Sequence, residues 1–371
     1  RVTGYAEGMA SLSDLPLRDD LRGKAPYGAP MDPVKYALNV NENTHPVPGP
    51  VREAILAEVA RALESINRYP DREFTALRAA LADYASRDRA AGPIDPNMVW
   101  AANGSNEVIQ QVLQAFGGPG RSVLGFPPSY SMHPIIAEST GTSWSVGSRE
   151  SDFSLTPDGV RNAIQLTDPN LVFLCAPNNP TGTPVSLETI EAAYDATDGI
   201  VMVDEAYVEF RPEGSRTASE LLPGRERLVI SRTMSKAFAF AGARVGYLLA
   251  DPAVIDALRL VRLPYHLSGI TQAAALGALQ HADVMLSMVS DIRDQRDRLL
   301  RELPELGYTV CTSEANFVLF GGIDDPQQLF RDLLERDILI RDVGIPGHLR
   351  VTAGTKEETT VFLETLGRLR A

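Results

Sequence analysis

Ile200-Val201-Met202-Val203-Asp204-Glu205-Ala206-Tyr207 places an uninterrupted apolar run directly before a carboxylate. Such a run reads as a strand buried on both faces, as in a parallel sheet. On either side, short apolar segments recur between stretches of helical spacing: Met98–Ala102, Ser122–Phe126, Ser143–Val146, Leu171–Cys175, Arg227–Ser231 and Val245–Leu249. Strands alternating with helices predict crossover units and an α/β fold with a mostly parallel, seven-stranded sheet. Ligands of such sheets bind beyond the carboxyl ends of the strands. Those ends carry Asn103-Gly104-Ser105-Asn106, Tyr130, Asn178-Asn179, Asp204 and the residues from Ser231 to Lys236, so a polar rim is expected there.

The flanks are organised differently. Residues 1–40 are rich in Pro, Gly and charge and read as an extended arm. From Gly49-Pro50 a helix is expected, with Val51, Ile55, Val59 and Leu63 at helical spacing, and a second covers Glu73 to Ser86. After Pro264 comes a long helix, Gly269 to Arg301, with a break near His281-Asp283. Strands are then expected near Tyr308–Cys311, Phe317–Phe320 and Leu349–Thr352, and a closing helix from Glu357 to Arg370. The division this predicts is an arm (1–40), a large domain (41–264) and a smaller α/β domain (265–371).

With 371 residues, 44% hydrophobic and 22% charged, the chain has a globular composition able to bury a sizeable core. Its formal net charge of −13 argues against nucleic acid or an anionic membrane as a partner. An anionic substrate must therefore be met by local arginines. Cys175 and Cys311 lie far apart, without metal-ligand spacing, and read as reduced, buried hydrophobes. No apolar run is long enough for a membrane span, and the N-terminal stretch has no secretory pattern; a cytoplasmic location is expected.

The chemistry is concentrated in Thr233-Met234-Ser235-Lys236-Ala237-Phe238 and in Arg244. A lysine among apolar residues has a lowered pKa and becomes nucleophilic, suited to a Schiff base with an aldehyde cofactor. Ser235 and Arg244 suit that cofactor's phosphate. Asp204 could pair with a protonated pyridine nitrogen, making the ring an electron sink, and the set points to pyridoxal phosphate. Other motifs have plainer readings beside this one. Asn103-Gly104-Ser105-Asn106 opens a helix whose free N–H groups attract phosphate, yet Ser105 or Asn106 as a simple N-cap reads the same way. Ala176-Pro177-Asn178-Asn179-Pro180-Thr181-Gly182 is a turn by composition, with asparagines able to donate to the ring phenolate. Tyr130 suits stacking on a ring, or a plain place on the surface or in the core. Arg341 and Arg350, beside apolar runs, suit a bidentate carboxylate clamp or an exposed strand face.

Taken together, these residues resemble the fold-type I pyridoxal-phosphate enzymes, and among them the histidinol-phosphate aminotransferases. The likeness runs from Pro26-Tyr27 and Leu38-Asn39-Val40-Asn41-Glu42-Asn43 through Asn67-Arg68-Tyr69-Pro70 to Leu349-Arg350-Val351-Thr352-Ala353-Gly354-Thr355. It implies that Lys236 carries the cofactor and then shuttles a proton, and that Asp204 binds the pyridine nitrogen. Asn179 and Tyr207 would hold the ring's O3′, with Tyr130 stacked on it. Gly104, Ser105, Asn106, Thr233, Ser235 and Arg244 would cradle the phosphate, and Tyr69 would reach in from a partner subunit, implying a homodimer. Arg350 would clamp the carboxylate of glutamate and 2-oxoglutarate, and Arg341, with Tyr27 and Asn43, would meet the rest of the substrate. The implied reaction interconverts L-histidinol phosphate and 2-oxoglutarate with imidazole-acetol phosphate and L-glutamate. Aromatic-amino-acid aminotransferases share nearly all these motifs, and a threonine-phosphate decarboxylase would use the same scaffold. Transcription regulators that borrow it need a DNA-binding domain, for which residues 1–40 are too short and too rich in Pro and Gly. The chain departs from the common pattern at Ala239-Phe240, where Gly-Leu is usual, and at Ala243.

Overall fold

The uninterrupted apolar runs form the spine of the protein, seen in a computed structural model that describes residues 11–26, 28, 30, 32–87 and 89–370. Twelve strands follow one another among the described residues. They are β1 (Tyr36–Ala37), β2 (Val99–Ala102), β3 (Ser122–Gly125), β4 (Ser143–Val146), β5 (Leu171–Cys175) and β6 (Ile200–Asp204), then β7 (Leu228–Thr233), β8 (Gly246–Ala250), β9 (Thr309–Val310), β10 (Phe317–Gly321), β11 (Ile338–Leu339) and β12 (Leu349–Thr352). The α-helices that position the site are α1 (Gly49–Leu63), α2 (Thr75–Ala85), α3 (Ser105–Phe116), α4 (Met132–Ser139), α5 (Pro157–Thr167) and α6 (Leu187–Ala196). They continue as α7 (Pro252–Val261), α8 (Gly269–Leu279), α9 (Ala282–Glu305), α10 (Pro326–Leu334) and α11 (Lys356–Arg370).

The chain forms two units, Arg1–Pro33 and Val34–Ala371. In the first, short 3-10 turns span Leu12–Asp14 and Asp19–Leu21, and Asp14 Oδ2 accepts from both Ser11 N and Ser11 Oγ at 2.7 Å.

In the second unit the seven-stranded sheet has the order β2-β8-β7-β6-β5-β3-β4. Strands β7, β6, β5, β3 and β4 run parallel, while β8 is antiparallel to both β2 and β7. Every residue of β5, β6, β7 and β8 is buried, as continuous apolar sequence demands of strands covered on both faces. The reversal of β8 shapes the rim. It brings the start of that strand to the edge where its neighbours end, so Gly246 lies opposite Ala102 on one side and Thr233 on the other. Asp204 is likewise opposite Cys175 and Ser231.

A three-stranded antiparallel sheet, β12-β10-β9, and a two-stranded parallel one, β1-β11, complete the unit. Pairing of β1 with β11, and of Thr352 N with the Leu38 carbonyl at 2.9 Å, anchors residues 36–41 beside β12. Asn316 Nδ2 holds the Asn41 carbonyl at 3.0 Å from the neighbouring strand end.

Several boundaries differ from the sequence reading, each for a local reason. Helix α2 begins at Thr75 because Phe74 is left-handed (φ 40°) and Asp71 accepts from Glu73 N and Thr75 N. Strand β7 continues past Ser231 to Thr233 because its antiparallel partner β8 still pairs with it there. The stretch around Ile338 is a strand only to Leu339, and Arg341 forms an isolated bridge with Arg350. The break near His281 is present, with α8 ending at Leu279 and α9 starting at Ala282. Among the described residues no helix is long and apolar enough to cross a membrane.

Candidate active site

The strand ends meet as the topology requires. Asp204 closes β6, buried, with its two oxygens held from opposite sides: Ser231 Oγ donates to Oδ1 at 3.0 Å and His133 Nε2 lies 3.1 Å from Oδ2. In the tautomer with its proton on Nε2, His133 donates to this carboxylate. Both contacts act on the side chain of Asp204 and fix its orientation on the rim. His133 sits in the first turn of α4, buried, with its ring edge-on to Tyr130 and to Phe173.

Tyr207 follows on the loop after β6. Its hydroxyl oxygen receives Asn41 Nδ2 at 3.0 Å and Asn179 Nδ2 at 3.3 Å. With both acceptor positions used, the phenolic proton is free to point at a ligand oxygen. Burial pushes the phenol well above its usual range, so it stays a donor across physiological pH. Asn179 Oδ1 accepts from Arg350 Nη1 at 2.6 Å, and Arg350 Nη2 donates to the Asn39 carbonyl at 2.7 Å. Arg350 is buried on β12, and its guanidinium also lies 5.1 Å from the Phe317 ring centroid.

Lys236 stands on the turn after β7, its Nζ 3.0 Å from the Val40 carbonyl. Desolvation, followed by the positive charges of Arg350 and Arg244, pushes its amine down to about 8, with Glu42 opposing. The neutral, nucleophilic form is therefore accessible near neutrality.

A set of donors suited to an anion gathers at the start of the reversed strand. Helix α3 starts at Ser105 with Gly104 (φ 86°) as its N-cap, and no side chain caps the exposed N–H groups. A Cβ on Gly104 would lie 2.5 Å from Arg244 Nη2, and one on Gly246 would strike the backbone of Gly104 and Ser105. Only glycines allow this close approach. Thr233 Oγ1 is 3.0 Å from Ser235 Oγ, so two hydroxyls lie side by side near the start of β8. Tyr130 OH donates to Asn106 Oδ1 at 3.1 Å, joining the aromatic to the same helix start.

Not every expected residue joins this group. Asn43 Nδ2 donates to the Ala237 carbonyl at 3.1 Å, next to the lysine. Arg341 exchanges two backbone hydrogen bonds with Arg350, both 2.9 Å, while its guanidinium pairs with no described residue. Tyr69 is 81% exposed and stacks on Tyr265, with centroids 4.4 Å apart. Tyr27 lies outside the described residues. Two residues that shape the site, His133 and Asn41, escaped the sequence reading as contributors, and Ser231 was expected on the rim without its role as a clamp on Asp204. The spacing of Tyr130 and His133, one helical turn apart after a strand, is the only signal that could have marked the histidine.

The sequence profile of the aminotransferase class I and II family matches residues 33–366. The chain belongs to that family. It is 55% identical to the histidinol-phosphate aminotransferase of Paenarthrobacter aurescens, over 98% of this chain and 97% of that protein. The enzyme of the same name from Thermobifida fusca is also 55% identical, with 96% of each chain covered. A crystal structure of histidinol-phosphate aminotransferase from Sinorhizobium meliloti in complex with pyridoxal-5′-phosphate has the same fold, with a TM-score of 0.79 at 24% identity over 91% of both chains. An aspartate aminotransferase mutant from Thermus thermophilus superposes with a TM-score of 0.80 at 25% identity, covering 95% of this chain and 99% of that one. The fold is therefore fold type I, the protein is an aminotransferase, and its cofactor is pyridoxal 5′-phosphate. The donor set suits this group: an uncapped helix start, paired hydroxyls and Arg244 for a phosphate, a clamped carboxylate for a pyridinium and a desolvated lysine for an aldehyde.

Proposed function

We propose that this protein exchanges an amino group between L-histidinol phosphate and 2-oxoglutarate, giving imidazole-acetol phosphate and L-glutamate, as a step of histidine biosynthesis. The observation that carries the reading is the arginine pair. Arg350 and Arg341 are bound back to back through their main chains; one guanidinium is buried against Asn179, the other has no partner among the described residues. Two arginines of different surroundings suit a substrate pair of which one member ends in a carboxylate and the other in a phosphate. The names of relatives sharing about half their residues over nearly the whole chain support the same choice.

Each residue has a task in this reading. Pyridoxal phosphate, when bound, supplies the aldehyde that takes the amino group and the ring that withdraws electrons from the substrate carbon. Asp204 keeps the ring nitrogen protonated, and Tyr207 with Asn179 donates toward O3′. Thr233, Ser235, Arg244 and the helix start at Ser105 and Asn106 hold the phosphate, while Tyr130 covers the ring. Lys236 would hold the cofactor through its amine and, once released, would serve as general base for the proton on the substrate's Cα, a task its lowered pKa fits. Arg350 orients the carboxylate of glutamate and 2-oxoglutarate. Arg341, its guanidinium without a partner among the described residues, and Asn43, beside Ala237, would meet the phosphate end.

The protein acts, on the same reading, as a cytoplasmic homodimer. Leu56, Leu63 and Ile66 lead up to Tyr69, and Leu260 and Leu263 lead up to Tyr265, all of them exposed. Apolar residues gathered around an exposed aromatic stack are what a second copy covers, and Tyr69 then reaches the partner's phosphate. Steady-state rates with histidinol phosphate and with phenylalanine test the assignment: a kcat/KM at least about 100-fold higher for histidinol phosphate supports it, since one well-placed charged contact already contributes tenfold or more. Preference for phenylalanine would make the protein an aromatic aminotransferase. Appreciable steady-state turnover by Lys236→Ala would sink the mechanism.

A further inference from the structure

Arg149 lies between β4 and α5, outside the strand-end motifs in sequence but hydrogen-bonded to one of them through Asn178. It is partly buried, and no carboxylate pairs with it among the described residues. A guanidinium taken from water without a counter-ion is costly, and desolvation pushes this one down to about 10. All its hydrogen bonds go to neutral oxygens on three different segments. Nε donates to the Phe126 carbonyl at 2.8 Å, Nη1 to the Phe153 carbonyl at 3.0 Å and Nη2 to Asn178 Oδ1 at 2.8 Å.

Asn178 passes the connection on. It is fully buried; its Oδ1 also accepts from Ser129 Oγ at 3.1 Å, and its Nδ2 donates to the Pro128 carbonyl at 3.0 Å and to Thr181 Oγ1 at 2.8 Å. Thr183 Oγ1 donates to the Phe153 carbonyl at 3.2 Å, the oxygen that Nη1 also holds. Arg149 and Asn178 together therefore tie the loop after β3 to the loop after β5. The first loop ends at Tyr130. The second continues directly into Asn179, which meets both Tyr207 and Arg350. A planar fork presents its donors from three separate nitrogens and so spans acceptors on three segments, whereas an ammonium's three donors radiate from one atom and an apolar filler has none.

We propose that Arg149 is a positioning residue for the transamination: it locks together the two loops that present Tyr130 and Asn179, and so sets the alignment of Arg350 and of the donors near the cofactor's O3′. The proposal rests on the reading of Asn179, Tyr207 and Arg350 as the cofactor and substrate site.

The test compares wild type, Arg149→Met and Arg149→Lys, each loaded with pyridoxal phosphate, by melting temperature, by KM for glutamate against kcat, and by titration of the bound cofactor's visible band with pH. In Arg149→Met, loss of alignment at Arg350 raises KM for glutamate about tenfold, with a smaller change in kcat. The pH midpoint of the visible band moves up, because weaker donation toward O3′ favours the protonated form. Arg149→Lys reaches fewer acceptors and restores part of both effects. If Arg149→Met does not fold, Arg149→Lys alone must still show the smaller shifts. A fall in melting temperature with KM and midpoint unchanged in the folded variants would overturn the proposal and leave Arg149 a structural residue. Absence of a cofactor band in wild type would instead overturn the reading of the site itself, and the proposal with it.

Discussion

Replacing His133 by Phe tests how Asp204 is made into a partner for the cofactor. The substitution keeps a planar aromatic in a site that is 2% exposed and retains the edge contacts to Tyr130 and Phe173, at 5.3 and 5.4 Å. It removes one thing, the Nε2–H at 3.1 Å from Asp204 Oδ2. Ser231 still holds Oδ1 at 3.0 Å, so the carboxylate keeps one of its two clamps. A hydrogen bond to a charged group contributes about 1.5–3 kcal/mol, which at about 1.4 kcal/mol per factor of ten corresponds to roughly 10- to 150-fold. The carboxylate must be an anion to hold the ring nitrogen's proton, so the loss falls on cofactor affinity and on catalysis together. Titration of the apoenzyme with pyridoxal phosphate, followed by absorbance, should show the dissociation constant raised within that range, and kcat/KM should fall at least as far. A folded His133→Phe protein whose cofactor affinity and kcat/KM both stay within about twofold of wild type would remove His133 from the support of Asp204, since no lost charged hydrogen bond of this kind is that weak.

Other outcomes follow from the same geometry. The lowered pKa of Lys236 means that the folded protein favours its neutral form; below about 8 the lysine is mainly charged and above it mainly free amine, so the initial rate at which apoenzyme captures pyridoxal phosphate should rise about tenfold from pH 7 to pH 9. A rate independent of pH across that window would contradict the assignment of the amine. Gly104→Ala puts a methyl group 2.5 Å from Arg244 Nη2 on a residue whose φ is 86°. Cofactor affinity should fall by about tenfold or more, read in the same apoenzyme titration, because both strain and the displaced guanidinium act on the phosphate. Arg341→Gln should raise KM for histidinol phosphate about tenfold or more and leave KM for phenylalanine nearly unchanged; equal effects on both substrates would remove Arg341 from the phosphate end.

What could be read in advance depended on the range of the interaction. Asp204 was legible because an apolar run that stops at a carboxylate is itself the signature of a buried strand meeting a functional rim. Lys236 and Arg244 were legible because the turn carrying them is local and its flanks are apolar. The Gly104 turn could be read as a candidate phosphate site only alongside that lysine, since alone it reads as an N-cap. His133 and Asn41 were not legible as contributors, because their partners are remote in sequence: His133 meets Asp204 across 71 positions, and Asn41 meets Tyr207 across 166. Ser231 was expected on the polar rim, but its partner was not: only the register of β6 against β7 turns its hydroxyl into a clamp on Asp204. Arg341 was expected beside a strand, yet β11 stops at Leu339, and the residue owes its place to a bridge with Arg350.

Lys236 and Arg341, on this account, serve the transfer of the amino group of histidinol phosphate to pyridoxal phosphate. An absorbance titration of the cofactor-loaded protein with L-histidinol phosphate, in the absence of any keto acid, bears on this step without intermediary. The yellow band should be lost at low ligand concentration as pyridoxamine phosphate appears, with no such change in Lys236→Ala. A band unchanged at high histidinol phosphate, in protein that glutamate does bleach, would contradict the assignment.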